Sequence, residues 1–139
     1  MAGEAPPDDG KIGDNELLYR RVRSDQIEPT RDGKGIRPSS AVLKSSGGPL
    51  SVHVASLITP EELLKQYGSF HIAAISAKVA RSEKCRLRHE ADESGDPAHA
   101  HIYGDSPDGS LKAGQASKIA HQTQIILNPK LPPPVVGGQ

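Results

Sequence analysis

Three histidines have the residue type and spacing that could bind a metal ion. His99 and His101 lie two positions apart in a segment that alternates like a β-strand, so both side chains leave the same face. His89 lies in the preceding alternating segment, across an acidic stretch that holds Asp92 and Asp96. Zinc and iron centres use imidazoles together with a neighbouring carboxylate. The hypothesis is a zinc site at His89, His99 and His101, and the alternative is a polar sheet face without metal.

The basic residues cluster in two segments, which suggests a docking surface for another protein. The first segment contains Arg20, Arg21 and Arg23, and the second contains Arg86 and Arg88. Residues 90–108 then carry acidic side chains and no Lys or Arg, although the whole chain has 17 basic and 17 acidic residues. Separated charges of this kind orient a protein partner. The alternative is a solvated surface with internal ion pairs.

Nucleic-acid and membrane partners are not expected from the composition. Aromatic residues make up 3% of the chain and the formal net charge is zero, so stacking platforms and a strongly basic surface are both missing. The apolar runs are too short for a membrane span, and none follows Met1 as a secretory signal would. The single Cys85 excludes an internal disulfide and fits a reducing, cytoplasmic setting.

Enzymatic chemistry has little support in the sequence. Cys85 lies in a strand pattern that is typical of a buried thiol, and no nucleophile elbow, Walker loop or dinucleotide fingerprint occurs. Arg20 and Ser51, on two predicted strands, resemble the opening of the ADP-ribosyltransferase fold, where such residues bind NAD. The late strand glutamate of that fold is not found after Glu93. A metal- or NAD-dependent enzyme remains an alternative without assigned catalytic residues.

The two ends of the chain are predicted to lie outside the folded domain. Residues 1–15 are rich in Gly, Pro and Asp and predict a disordered leader, while the prolines and glycines of 129–139 predict a flexible, extended tail. We therefore expect one domain over residues 16–128. Gly137 and Gly138 resemble the tail of ubiquitin-like modifiers, and this resemblance implies a second functional alternative as a modifier or a conjugation-pathway component.

The internal segments predict an α+β domain with a mostly antiparallel sheet. Thr59 and Glu62 form a capping box around Pro60, and Gly68 can end the helix, so the sequence predicts a short helix over 60–67. Apolar and small residues in 111–127 predict a C-terminal helix with an unwound end near TQIIL. Alternating or buried patterns predict strands at 16–22, 50–57, 70–80, 85–90 and 98–104. The alternation at 16–22 is imperfect, and a short helix is the alternative for that segment.

Four short segments resemble a loose family of small uncharacterised bacterial proteins. These segments are LLYRRV, RPSSAVLK, LSVHVASLITPEE and DPAHAHIYG, and they cover about residues 17–104. The resemblance implies one compact prokaryotic domain and brings no known activity or catalytic residue. The missing catalytic motifs, the separated charges and the few aromatic residues together lead us to expect a non-catalytic protein-interaction module without a cofactor.

Overall fold

The described part of the chain, residues 7–44, 47–90 and 97–134 of this computed structural model, contains eight strands and three α-helices. The helices are α1 (Pro60–Gln66), α2 (Ala77–Ser82) and α3 (Ala113–Ala120). None of these helices has the length and apolar character needed to cross a membrane. The strands are β1 (Leu17–Val22), β2 (Ile27–Pro29), β3 (Ile36–Pro38), β4 (Leu50–Val54), β5 (His71–Ser76), β6 (Arg86–His89), β7 (His99–Tyr103) and β8 (Gln124–Ile126).

Six of the strands form one antiparallel sheet in the order β6-β7-β4-β1-β5-β8. β2 and β3 form a separate two-stranded antiparallel hairpin. Short helices lie between the strands, and α3 comes near the C-terminal end. The prediction of an α+β domain with a mostly antiparallel sheet is therefore confirmed.

The two faces of the large sheet pack against different partners because side chains alternate along each strand. One face carries fully buried residues such as Leu18, Val52 and Leu87, which join the main core together with Ile119 of α3. The other face carries a smaller cluster centred on Leu63 of α1. This second cluster covers the β1, β5 and β8 part of the sheet through Tyr19, Ile72, Ala74 and the partly buried Ile126.

Helix α1 begins with the capping box that the sequence predicts. The Glu62 N–H donates to Thr59 Oγ1 at 3.1 Å, and the Thr59 N–H donates to the Glu62 carboxylate at 3.1 Å. These two bonds satisfy N–H groups that have no partner inside the helix. The helix ends at Gln66, one residue before the predicted end.

Three predicted elements are each divided in the structure. The strand predicted over 50–57 ends at Val54, and Ala55–Leu57 form a 3₁₀ helix. The strand predicted over 70–80 ends at Ser76, because the Ser76 hydroxyl accepts the Val79 N–H and starts α2. The helix predicted over 111–127 ends at Ala120, and the following residues form β8 against β5. The small residues of 77–82 fit a helix as well as a strand, so the apolar pattern alone does not decide between them. β8 begins in the segment that the sequence predicts to unwind, where Ile125 and Ile126 pair with β5.

The structure also differs from the predicted leader for residues 8–14. Ile12 is 3% exposed and belongs to the main core. The Arg81 guanidinium lies 3.0 Å from Asp8 and 2.7 Å from Asp14, so ion pairs on both sides of Ile12 hold this segment against the domain. A low average hydrophobicity does not exclude docking when one apolar residue and two carboxylates find fixed partners. The domain limits of 16–128 remain a prediction.

Candidate docking face

On the sheet face opposite the main core, strands β4, β7 and β6 form a polar surface, which we call the histidine face. Ser51 lies directly opposite His101, and Arg88 lies opposite His101 on its other side. Directly opposed residues of antiparallel strands share a face, so the register brings the side chains of all three strands together. The histidine face consists of Ser51, His53, Arg86, Arg88, His99, His101 and Tyr103.

A continuous row of rings crosses this surface. His53 contacts Tyr67 of the adjoining cluster and His99, with ring centroids 6.2 Å apart in each case. His99 and His101 are closest, at 4.7 Å, and the His101 and Tyr103 rings are 6.1 Å apart. The His99–His101 pair is edge-to-face, an arrangement that aromatic rings favour. Apart from His53, which is 7% exposed, the rings are half-buried.

Arg21, one of the predicted binding residues, lies at one end of this row. Its guanidinium carbon is 4.1 Å from the Tyr67 ring centroid and 5.4 Å from that of Phe70. These are cation–π distances, so the two rings attract the guanidinium group and keep it close to the aromatic surface. Arg21 therefore presents its charge beside the histidine face.

Glu90 follows β6 directly and lies at the other end of the row of rings. Its carboxylate already has hydrogen-bond and ion-pair partners within the face. Its carboxylate accepts the Tyr103 hydroxyl at 2.7 Å and His101 Nδ1–H at 3.0 Å, and Arg88 lies 3.7 Å away. Burial opposes ionisation of Glu90, but these hydrogen bonds and charges outweigh it and lower the pKa of its carboxyl group. Burial and Glu90 together raise the pKa of Tyr103 to about 12. The pair is thus an ionised carboxylate and a neutral phenol at neutral pH.

The hydrogen bonds also indicate which nitrogen of each histidine carries the proton. His99 Nδ1 lies 3.0 Å from the Glu90 carbonyl oxygen, and His101 Nδ1 lies 3.0 Å from the Glu90 carboxylate. Both oxygens are acceptors, so both Nδ1 atoms donate. A further proton on either ring would go to Nε2 and add a donor and a positive charge to the surface.

The three predicted metal ligands do not come together, which corrects the zinc hypothesis in its original form. His89 is directly opposite Ala100, so it leaves the sheet on the face opposite to His99 and His101. Its Nε2 lies 2.6 Å from the Pro97 carbonyl oxygen. Over the described ranges, no group of three or more His, Cys, Asp or Glu side chains is arranged to hold a metal ion.

Arg20 is also placed differently from the predicted docking surface. It lies on the face that Val52 occupies, and its guanidinium donates to the carbonyl oxygens of Val42 at 3.3 Å and Ser51 at 3.0 Å. Burial lowers the pKa of Arg20, and the nearby Arg21 charge lowers it further. The Ser51 side chain is on the opposite face, so the pair that resembled an NAD-binding arrangement is not formed. Arg20 is a structural residue.

Replacing Arg20 with methionine is expected to cost about 2 kcal/mol of unfolding free energy, because two carbonyl groups lose their donor. Urea unfolding measures this cost. Arg23→Met is the matched control, since Arg23 is exposed and its ion pair is with the exposed Asp25, at 3.0 Å; it should change stability by less than about 0.5 kcal/mol. Equal stability of the two variants would contradict the structural role.

Other predicted features lie apart from the histidine face. Cys85 is 4% exposed, and burial together with Asp105 raises the pKa of its thiol to about 12, so the thiol stays protonated. An open groove of about 820 Å³ lies between the β2–β3 hairpin and α3, lined in part by Arg37 and Lys118, and none of the predicted site residues lines it. Gly137 and Gly138 lie outside the described residues.

Comparison with known proteins gives no relative from which a function could be transferred. No family model, curated protein or solved structure matches the chain. Because one fold class supports many unrelated functions, the functional argument depends on the residues of the histidine face themselves.

Proposed function

We propose that the protein is a non-catalytic interaction module whose histidine face binds an acidic segment of a partner protein. One observation carries the proposal: the half-buried row of rings from Tyr67 to Tyr103 has arginines at both ends. Aromatic and arginine side chains are the types enriched in protein interfaces. The surface offers contact area and fixed polar groups over three adjacent strands.

The charge of this face favours carboxylates as its ligands. Arg86 and Arg88 lie on β6, and Arg21 lies at the opposite end of the ring row. Glu90 is engaged by Tyr103, His101 and Arg88, so its negative charge is largely used within the face. Arg86 also lies 3.5 Å from Asp105, so an acidic partner segment would share the two β6 arginines with Asp105 and Glu90, and it would find Arg21 at the other end and imidazoles between them.

The proposed interaction is polar, and it should therefore weaken as salt is added. Exposed charges are screened over about 10 Å at 0.1 M salt, and over less at higher concentrations. Neither a membrane nor a nucleic acid is part of the proposal.

Charge reversal on β6 tests the proposal. We expect the double variant Arg86→Glu and Arg88→Glu to bind its partner about tenfold more weakly, because each lost surface ion pair contributes roughly 0.5–1 kcal/mol. The measurement is an affinity pull-down from the native host at low and high salt, followed by titration of the recovered partner. A poly-glutamate peptide followed by amide chemical shifts at Ser51, His99 and His101 locates the contact.

The matched control also replaces two basic residues with glutamate, but on a surface away from the histidine face. Arg31 and Lys34 are exposed residues of the β2–β3 connection, away from the histidine face. The double variant Arg31→Glu and Lys34→Glu should bind as the unaltered protein does. A partner retained equally by both double variants, or binding that does not change with salt, would contradict the proposal.

A further inference from the structure

Among the strands of the described residues, none pairs with the backbone groups at the outer edge of β6. β6 is the last strand in the sheet order, with β7 on one side only. Residues alternate along an antiparallel strand, so Leu87 and His89 direct their backbone groups away from β7. An edge of this kind is a template for another extended chain unless something covers it.

Residues 7–9 of the same chain cover this edge, mainly through carboxylates. Asp8 Oδ1 accepts the Leu87 N–H at 2.8 Å, and Asp9 Oδ2 accepts the His89 N–H at 3.2 Å. One backbone bond is added, from the Asp9 N–H to the Leu87 carbonyl oxygen at 2.7 Å. Arg88 also donates to the Pro7 carbonyl oxygen at 2.9 Å. The contact is thus polar, and side chains make much of it.

The segment is anchored behind this contact and also at the contact, because Asp8 itself pairs with Arg81 at 3.0 Å. Ile12 is buried in the main core, and Asp14 pairs with Arg81 at 2.7 Å. A partner segment that displaces residues 7–9 must therefore replace the ion pair between Asp8 and Arg81, and an acidic side chain can do so.

We propose that the outer edge of β6 is a second binding surface, which accepts an extended acidic segment of a partner protein and which residues 7–9 occupy in its absence. We infer an acidic partner segment because residues 7–9 cover the edge with two adjacent carboxylates, which accept the outward N–H groups of Leu87 and His89. Arg81, 3.0 Å from Asp8, and Arg88 supply cations along this edge. Addition of a strand to an exposed edge is a general mode of peptide recognition.

This inference does not depend on the function proposed for the histidine face. It concerns the outward backbone groups of Leu87 and His89 at the rim of the sheet, whereas the histidine face uses side chains above the sheet; Arg88 borders both surfaces, so its charge reversal does not distinguish them. A protein that fails to bind through the histidine face could still accept a peptide segment at β6. Binding at the histidine face is followed at the amides of Ser51, His99 and His101, and binding at the edge is followed at the amides of Leu87 and His89.

The test exposes the edge in the full chain by the double variant Asp8→Ala and Asp9→Ala. The probe is a short synthetic peptide with two adjacent aspartates between β-branched residues, and a peptide with two asparagines is its control. We expect the aspartate peptide to bind this variant at least about tenfold more tightly than the unaltered protein, because the leader no longer competes. Amide hydrogen exchange at Leu87 and His89 should slow when the peptide is added.

A second pair of substitutions controls for the loss of charge alone. Asp25→Ala with Glu61→Ala removes two exposed carboxylates elsewhere and should leave peptide binding unchanged. If the first double variant is unfolded, the single variant Asp9→Ala frees the His89 N–H and carries the same measurement. The proposal is overturned if the peptide leaves exchange at Leu87 and His89 unchanged in the folded variant, or if it binds the variant and the unaltered protein equally. Residues 7–9 would then be a permanent cover.

Discussion

Replacing Gly104 with alanine is expected to destabilise the protein by about 3 kcal/mol, at the upper end of the cost of overpacking. A Cβ atom at this position would lie 2.5 Å from the Ser110 carbonyl oxygen and would also collide with Leu111 Cα. These are backbone atoms, so no side-chain rotation can relieve the contact. The chain around β7 would have to move apart.

The movement would disturb both the core and the histidine face. The Gly104 N–H donates to the Gly109 carbonyl oxygen at 2.7 Å and closes the loop that follows β7. Leu111, on the far side of this loop, is 5% exposed and belongs to the main core. Tyr103 precedes Gly104 directly, so the end of the ring row would shift together with the loop.

Urea unfolding of Gly104→Ala beside Gly114→Ala measures this effect. Gly114 lies in α3, where an added Cβ would have no atom within 4 Å, and alanine favours helices over glycine by up to about 1 kcal/mol. The control should therefore be neutral or more stable than the unaltered protein. A cost for Gly104→Ala below about 0.5 kcal/mol would show that the loop adapts without strain.

Local patterns in the sequence were sufficient for the elements with clear signals. The capping box of Thr59 and Glu62 predicts α1, and alternation predicts which residues of β1, β4 and β6 face the core. The same alternation places His99 and His101 on one face. These features depend on neighbours within a few residues, so the chain itself encodes them.

Strand pairing is the information that local patterns lack. His53 belongs to the ring row only because β4 pairs with β7 and sets His53 opposite His99. Glu90 and Tyr103 meet for the same reason, through the pairing of β6 with β7. Knowledge of the register would have separated His89 from the other two histidines, because its direct partner is Ala100.

Burial of charged and polar residues was equally hard to foresee. Arg20 alternates with Leu18 and Val22 in the sequence, and this spacing does indicate the inner face. Its role becomes clear only when the carbonyl groups of Val42 and Ser51 are found within reach of the guanidinium. The docked leader depends likewise on Arg81, which is distant in the sequence from Asp8 and Asp14.

His71 is expected to make a comparably large contribution to stability, and replacement with leucine should cost about 3 kcal/mol. The side chain is fully buried, and His71 Nδ1 accepts the Asn128 N–H at 2.9 Å. Nε2 therefore carries the proton and donates to Ser24 Oγ at 2.8 Å. Asn128 continues the link by donating to the Gly68 and Phe70 carbonyl oxygens, so His71 joins three separate segments.

The same arrangement gives the stability a defined pH dependence. Burial lowers the pKa of His71 below its ordinary value of 6.5, so the unfolded chain takes up this proton at a higher pH than the folded protein. The contribution is complete above pH 6.5 and is lost as the pH falls from there towards the folded pKa. A proton on Nδ1 would also face the Asn128 N–H, which needs an acceptor at that atom.

Unfolding free energies measured between neutral pH and about pH 5 test both statements. His71→Leu should be less stable at neutral pH and should lose less stability on acidification than the unaltered protein. His71→Asn is the conservative control, because its amide oxygen lies near the position of Nδ1 and can accept the Asn128 N–H without titrating. It should therefore recover part of the stability at neutral pH and show the same weaker pH dependence. A leucine variant that keeps the full acid loss would assign the pH dependence to other groups.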